Sequence, residues 1–255
     1  MASDTYRYLA KYYDHLFEAR RSYTAARKVI VNPLLSRVES ACDLCCGTGT
    51  FAMQLAKKGI HTYGVDLSPD MCRITRQKAR AAKLKIEVIE ADMRAFRLPH
   101  PVDLITCEYD ALNHVPKKQD LPRVLRAVAQ SLTPGGHFVF DVNNRASFAG
   151  IWSKTWFIEK DPVALVMQST HGPGSDKASC NVEWFVRTGK VWKRYSEHIE
   201  EVCWSAAEIR KALKHAGFDQ IKTWDASPFF KDYFTPPGNR TFWRARKKGT
   251  IAFPQ

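Results

Sequence analysis

No apolar run in the sequence approaches the ~18 residues that a membrane-spanning helix requires. The opening MASDTYRYLAKYYDHLF lacks the apolar segment of a secretory leader, so none is expected. There is no internal repeat and no Ser/Gly-rich linker, which removes solenoids and offers no sign of a domain boundary. The seven cysteines are an odd number scattered through the chain, a usage that fits free thiols in a reducing cytoplasm and excludes a disulfide framework. Compositional bias is also absent: with 45% hydrophobic and 25% charged residues, the chain reads as a globular protein and not as a disordered or fibrous one. At 255 residues it buries enough surface to fold without disulfide or metal.

Acidic residues are few relative to basic ones. Twenty-six Asp and Glu stand against thirty-nine Lys and Arg, a net charge of +13. Such an excess can mark a nucleic-acid or anionic surface. The basic residues run from Arg20 and Arg21 to Lys247 and Lys248, and the densest stretch, Arg73 to Lys85, has the spacing of an exposed helix face. A solvated basic surface is therefore the expectation, and nucleic acid is not the expected partner.

Two helices are expected in the first forty residues, with Tyr6, Leu9, Tyr13, Leu16 and Phe17 at helical spacing. From Ala41 short β-rich runs alternate with helical ones. The strands are expected at 41–45, 62–66, 86–90, 102–107 and 137–142, and the helices near 51–58, 69–83 and 121–132. Ser68-Pro69 opens a helix with an N-cap and a proline in the first turn. Alternation of this kind builds right-handed βαβ units and a parallel sheet with helices on both faces. Three β-like runs then fall within 146–204, separated by turn residues at 171–176 and 188–190. They read as an antiparallel insertion packed over one end of the sheet. Ser205 and Glu208 form a capping box, and strands at 218–224 and 240–247 close the chain. The whole is expected to be one α/β domain, 1–255.

The most informative segment is Ala41-Cys-Asp-Leu-Cys-Cys-Gly-Thr-Gly-Thr-Phe-Ala52. A strand runs into Gly47-Thr48-Gly49 and a helix follows, so the backbone can approach a ligand at a helix N-terminus. About twenty residues on, Asp66 ends the next strand, where a carboxylate can accept both hydroxyls of a ribose. Gly47, Gly49 and Ala52 also satisfy a loose dinucleotide fingerprint, so NAD has to be weighed. Asp43 separates the two readings: beside a pyrophosphate it would place like charges together, whereas beside an ammonium or sulfonium it is favourable. A cationic nucleoside fits Asp43 and Asp66 better than NAD.

With these residues the sequence resembles the class I, Rossmann-like S-adenosylmethionine-dependent methyltransferases, in particular their small-molecule branch. The matching segments are CDLCCGTGTFAMQLAKKG, YGVDLSPDM, IEADMRAF, VDLITCEYDALNHV, LTPGGHFVFDVNN and RYSEHIEEVCWSAAEIRKALKHAGF, with YYDHLF as the N-terminal Tyr-Asp signature. The resemblance implies a Rossmann-like, mostly parallel seven-stranded sheet with the antiparallel insertion as substrate lid, and helices in 1–40 that close over the cofactor. It implies S-adenosylmethionine as cofactor, with S-adenosylhomocysteine as product. Asp43, Cys45, Gly47, Thr48 and Gly49 would line its methionine end, Asp66 and Leu67 the ribose, with Met71 nearby. Ala91, Asp92 and Met93 would meet the adenine, Cys107 and Glu108 would run beneath the sulfonium, and Tyr13 and Tyr23 would close over it. Where the family usually has glycine, this chain has Cys45.

The reaction so implied is in-line attack of an N or O atom of a small molecule on the sulfonium methyl. A protonated nucleophile needs a base of near-neutral pKa. His114, just past the fourth strand, is the expected base; its other possible role is to anchor the loop. His198 is a second possible base. Tyr109, Asn143, Arg145 and Trp152, with Trp156, are further substrate-facing candidates, although core packing suits the tryptophans as well. Glu108 or Asp110 with Asp141 and Asn143 could suggest magnesium, but residues on a parallel strand and its exit need not converge, and no metal is expected. There is no Asn-Pro-Pro-Tyr run or Pro-Cys pair of the base-methylating types. An RNA methyltransferase and a non-catalytic methyltransferase-like binding protein are the alternatives.

Overall fold

The structure is a computed structural model in which residues 7–17, 21–115, 117–230 and 236–249 are described. Tyr6 lies outside them. The helices expected in the first forty residues are α1 (Arg7–Phe17) and α2 (Arg21–Ile30). Alternating elements follow: β1 (Ser40–Leu44), α3 (Thr50–Ala56), β2 (His61–Asp66), α4 (Pro69–Ala81), β3 (Ile86–Glu90), β4 (Val102–Cys107), α5 (Leu121–Ser131) and β5 (Leu132–Asn143). A short helix α6 (Arg145–Gly150) leads into β6 (Thr155–Lys160), β7 (Val163–His171), β8 (Lys177–Thr188) and β9 (Val191–Val202). The chain then returns through α7 (Ala206–His215), β10 (Phe218–Asp225) and β11 (Arg240–Lys247).

Seven strands form one sheet in the order β10-β11-β5-β4-β1-β2-β3. The five from β3 to β5 run parallel, and β11 pairs antiparallel with both β5 and β10. Alternation along the strands divides the core in two. Ala41, Leu104, Val139 and Phe242 face α2 and α3, whereas Cys42, Ile105, Phe138, Phe140 and Trp243 face the side that α5 and α7 cover. Helices thus lie on both faces. Chain order reverses between β1 and β4, where the carboxyl ends of a doubly wound sheet open a crevice for a ligand.

The local signals act as chemistry requires. The Ser68 hydroxyl accepts from the Met71 N–H at 3.4 Å with Pro69 in the first turn. Ser205 and Glu208 make the reciprocal capping box. Strand β5 begins five residues before the expected His137, because Leu132 already pairs with Val102 ahead of the Thr133-Pro134-Gly135-Gly136 irregularity.

The antiparallel sheet has four strands, β6-β7-β8-β9, where three were expected. The missing one, β6, is an edge strand paired on one side only, so its Thr-Trp-Phe-Ile-Glu-Lys alternation is weak. One face of this sheet, with Leu165, Val182 and Trp184, packs on Tyr12, Tyr13 and Leu16 of α1 and on Met71 of α4. Its far end is tied to the parallel sheet by Asn113, whose amide donates to the carbonyls of Val202 at 2.9 Å and Asn143 at 3.2 Å. Among the described residues no helix is long and apolar enough to cross a membrane.

Phe140, fully buried on β5, stacks on Phe138 at 4.7 Å and on Trp243 at 5.9 Å between ring centroids. Phe140→Ala is expected to lower unfolding free energy by about 3–5 kcal/mol, measured by urea denaturation, because the flanking rings cannot collapse into the void.

Candidate active site

The chain leaves β1 through a run of left-handed residues. Cys45 has φ 58°, Gly47 φ 54° and Gly49 φ 74°. Glycine adopts this region freely, while a side chain there is strained. Cys45 therefore sits where the usual glycine of the family costs nothing, and its thiol meets Cys107 at the end of β4. Cys42 is buried in the core, and all seven cysteines are free. At Gly49 a Cβ would stand 2.4 Å from Thr75 Cγ2, so no larger residue fits. The Thr75 hydroxyl donates to the Gly47 carbonyl at 2.8 Å and holds the loop against α4.

Acidic residues surround this loop. Asp66, at the end of β2, accepts from the N–H groups of Gly47 (2.8 Å) and Ser68 (2.9 Å), and burial raises its pKa. Leu67 beside it leaves an apolar side chain exposed. Asp43 is buried beneath the loop, accepting from the Thr106 hydroxyl at 2.9 Å and the Ala52 N–H at 3.2 Å. Burial, then the neighbouring Glu108 carboxylate, push Asp43 up to about 7. Glu108 is gripped by Arg27 of α2, whose Nε donates at 2.8 Å and whose guanidinium lies 3.8 Å from the Phe51 ring centre. Thr48 donates at 2.6 Å to Asp14, which also binds Lys78 at 2.6 Å, so the loop, α1 and α4 are latched together. Ala91 N–H donates to the Asp66 carbonyl at 2.9 Å, and the Asp92 carboxylate takes Arg94, which holds it below the usual carboxylate range. Met93 packs against the core beside it.

Past β4 the backbone is strained twice more, at Tyr109 (φ 62°) and Asp110 (φ 52°). Asp141 on β5 secures both. It is 0% exposed and accepts from the N–H groups of Tyr109 (2.8 Å) and Asp110 (3.0 Å), the Tyr23 hydroxyl (2.9 Å) and Arg240. Burial outweighs Arg240 and raises Asp141 to about 6. Tyr23 is fully buried and stacks on Tyr109 with centroids 3.8 Å apart.

Beyond this network Asp110, His114 and Glu201 bring their polar atoms within 4.8 Å of one another. Asn143 donates to Asp110 at 3.0 Å and to Glu201 at 3.1 Å. Burial would raise Asp110, but Arg240 at 2.7 Å, with His114, outweighs it and keeps the group ionised. Burial, then the neighbouring Asp110, raises Glu201 well above the usual carboxylate range. Burial lowers His114 despite Asp110, which leaves the imidazole neutral at pH 7. The three groups could face a cation together, but Arg240 already neutralises Asp110.

Other sequence candidates lie elsewhere. Along β9 alternation turns Tyr195, Glu197, Ile199 and Glu201 inward, so His198 points outward and bonds Asn181 at 2.7 Å. Arg145 pairs with Asp176 at the surface. Neither joins the site. Trp152 stacks on Phe148 at the root of the antiparallel sheet, and Trp156 lies on edge strand β6, opposite Met167. Arg27, Arg240 and Glu201 were missed. Parity along β9 could have singled out Glu201; nothing in the sequence places Arg240 opposite Asn143, because that depends on strand order.

A family model described as a methyltransferase domain matches residues 41–136, from β1 into β5. A putative methyltransferase of Bacillus subtilis, YqeM, is 28% identical over 211 residues, 82% of this chain and 84% of that protein. The crystal structure of an S-adenosylmethionine-dependent methyltransferase from Clostridium acetobutylicum superposes with TM-score 0.79 at 28% identity, covering 96% of this chain and 99% of that one. The chain is a class I, Rossmann-like S-adenosylmethionine-dependent methyltransferase. The fold extends to KedS8, a sugar N-methyltransferase from Streptoalloteichus, with TM-score 0.72 at 19% identity over 97% of this chain and 94% of that one. S-adenosylmethionine is the methyltransferase's cofactor, and the donor set suits it: three buried or half-buried acids around the glycine loop would repel a pyrophosphate and favour a cationic nucleoside.

In this methyltransferase Arg240→Met is expected to cost about 3–5 kcal/mol of unfolding free energy at pH 8 by urea denaturation, since it leaves buried charges unpaired. The loss should shrink as pH falls, because protonating Asp141 removes the uncompensated charge.

Proposed function

We propose that the enzyme methylates the nitrogen of a small polar amine, such as an amino sugar. The observation that carries this reading is the neutral His114 set between two carboxyl groups, Asp110 from the parallel sheet and Glu201 from the antiparallel one, in a chain whose net charge is +13. The carboxyl oxygens of Asp110 and Glu201 beside a neutral imidazole can accept from the N–H groups of an amine, donors that a phosphate backbone does not offer. The sugar N-methyltransferase among the fold's relatives is compatible with it.

In this reading the whole chain serves one catalytic domain, with the N-terminal helices and the antiparallel sheet as its two covers. Asp43, Cys45, Gly47, Thr48 and Gly49 cradle the methionine end, and Asp66 accepts from the ribose beside Leu67. The residues at 91–93 border the adenine, and Met71, Tyr13 and Tyr23 lie on the closing side. Cys107 and Glu108 form the floor. When bound, S-adenosylmethionine supplies an electrophilic methyl group and a neutral thioether as leaving group. Asp110 and Asn143 hold the acceptor ammonium, and the buried Glu201 shapes the pocket wall. His114 Nε2 takes the proton that frees the nitrogen lone pair. Positioning along the line of attack supplies much of the remaining rate enhancement.

Two experiments test the reading. Methyl transfer from labelled S-adenosylmethionine should label amino sugars; labelling confined to phenols or RNA would overturn the proposal. His114→Ala should lower turnover about 10²–10⁴-fold with cofactor affinity unchanged, and a loss under about threefold would remove it as base.

The Asp43 carboxyl, raised to about 7, is protonated in the free enzyme below that pH. A cationic ligand beside it favours the carboxylate, so binding releases a proton there. Calorimetry of S-adenosylmethionine should show affinity rising up to about tenfold per pH unit from roughly pH 5 to 7 and level above. Asp43→Asn should flatten the profile.

A further inference from the structure

The antiparallel sheet has a second face that the proposed reaction leaves unused. Five large apolar side chains stand exposed among the described residues, and three of them, Phe157 (64%), Val191 (60%) and Trp192 (45%), belong to this sheet. Strand register puts them to use together. Trp184 and Tyr195 pair across β8 and β9 on the inward side, so Phe185 opposite Arg194, and Trp192 opposite Arg187, lie on the outward side. Phe157 opposite Val166 continues that outward row across β6 and β7. The result is an apolar diagonal of Phe157, Val166, Phe185 and Trp192, ending at the β8–β9 turn, where Val191 projects.

The charge around this diagonal is one-sided at the turn. From residue 187 to 196 the sequence RTGKVWKRYS contains Arg187, Lys190, Lys193 and Arg194 and no acid. Arg187 pairs with Asp161 and lies 6.0 Å from the Trp192 ring centre, and Arg194 pairs with Glu183. Lys190 in the turn and Lys193, which pairs with Val186 on the inward side at the tip of the hairpin, both extend exposed into solvent. The remaining acids of the face are Glu159, on the opposite edge strand, and Glu200, at the far end of β9 from the turn.

An exposed indole, two aliphatic or phenyl groups and a cluster of cations match the interfacial zone of a bilayer, where the ring lies at headgroup depth and lysines meet anionic lipid. A second copy of the chain would bring the same cations against one another. RNA would use the cations and one aromatic ring but leave Val191 and Phe157 in water. We infer that the outward face and β8–β9 turn of the antiparallel sheet dock the enzyme peripherally on an anionic phospholipid surface. The docking is independent of the acceptor chemistry, since Phe157, Phe185 and Trp192 lie on the outward face and the turn stands at the opposite end of β9 from Glu201.

Sedimentation of the full chain with vesicles tests this directly. Vesicles of phosphatidylcholine containing about 30% phosphatidylglycerol should bind at least about tenfold more tightly than pure phosphatidylcholine, and roughly 0.5 M NaCl should abolish the difference. The double variant Lys190→Glu/Lys193→Glu should lose at least about tenfold in binding to the anionic vesicles. Trp192→Ser should weaken binding severalfold at unchanged salt dependence. Both variants should keep their far-UV spectrum and S-adenosylhomocysteine affinity, which separates failure of this inference from failure of the proposed reaction. Equal binding to the two vesicle types, no binding, or an undiminished lysine variant would overturn the inference. Tighter binding of a single-stranded RNA oligonucleotide, lost in the same lysine variant, would overturn it in favour of a nucleic-acid surface.

Discussion

Asp141 accepts four donors at a point where β5, β11, α2 and the exit of β4 meet. Two of them are the N–H groups of Tyr109 and Asp110, whose left-handed backbone would otherwise relax to an extended path. That strain sets the direction in which Asp110 and the turn bearing His114 leave the sheet. A third donor, Arg240, reaches the site only because β11 inserts next to β5 and runs against it. Its guanidinium binds Asp141 and Asp110 together, so a buried pair of like charges is tolerated. A buried carboxylate with this many donors is stable only while all remain, since a partly satisfied network leaves an uncompensated charge. The shape of the crevice past β4 therefore depends on one aspartate.

The glycine loop is built on a different constraint. Its backbone must turn sharply between β1 and α3, and glycine is forced at position 49 by contact with Thr75 as well as by φ. At position 45 only the backbone constraint applies, and a cysteine is accommodated with its thiol against Cys107. Asp14, Lys78 and Thr48 then tie the first helix to the finished loop. Asn113 ties the antiparallel sheet to the same crevice from the other side.

Much of this was legible in the chain itself. The alternation of strands and helices, the glycine loop, Asp66 at the end of β2, the Ser68 cap and the Ser205–Glu208 capping box are local patterns, each set by residues within a few positions of one another. The extra edge strand β6 was not legible, because a strand paired on one side shows little contrast between its faces. The sequence offers His198 on β9 because histidine is the familiar base; strand parity, which is also local, turns His198 to solvent and Glu201 inward.

What the sequence determined by itself was the fold class, the cofactor class and the glycine loop, since those follow from short-range periodicity and from glycine and aspartate at fixed spacing. Tertiary structure alone decided the partners of the buried charges. Arg27 meets Glu108 across 81 residues and Arg240 meets Asp141 across 99. Such pairs arise from the order of strands in the sheet and the docking of helices upon it. The reason is physical: the cost of burying a charge is set by whatever else occupies the same few ångströms, and that is known only once distant segments have been brought together.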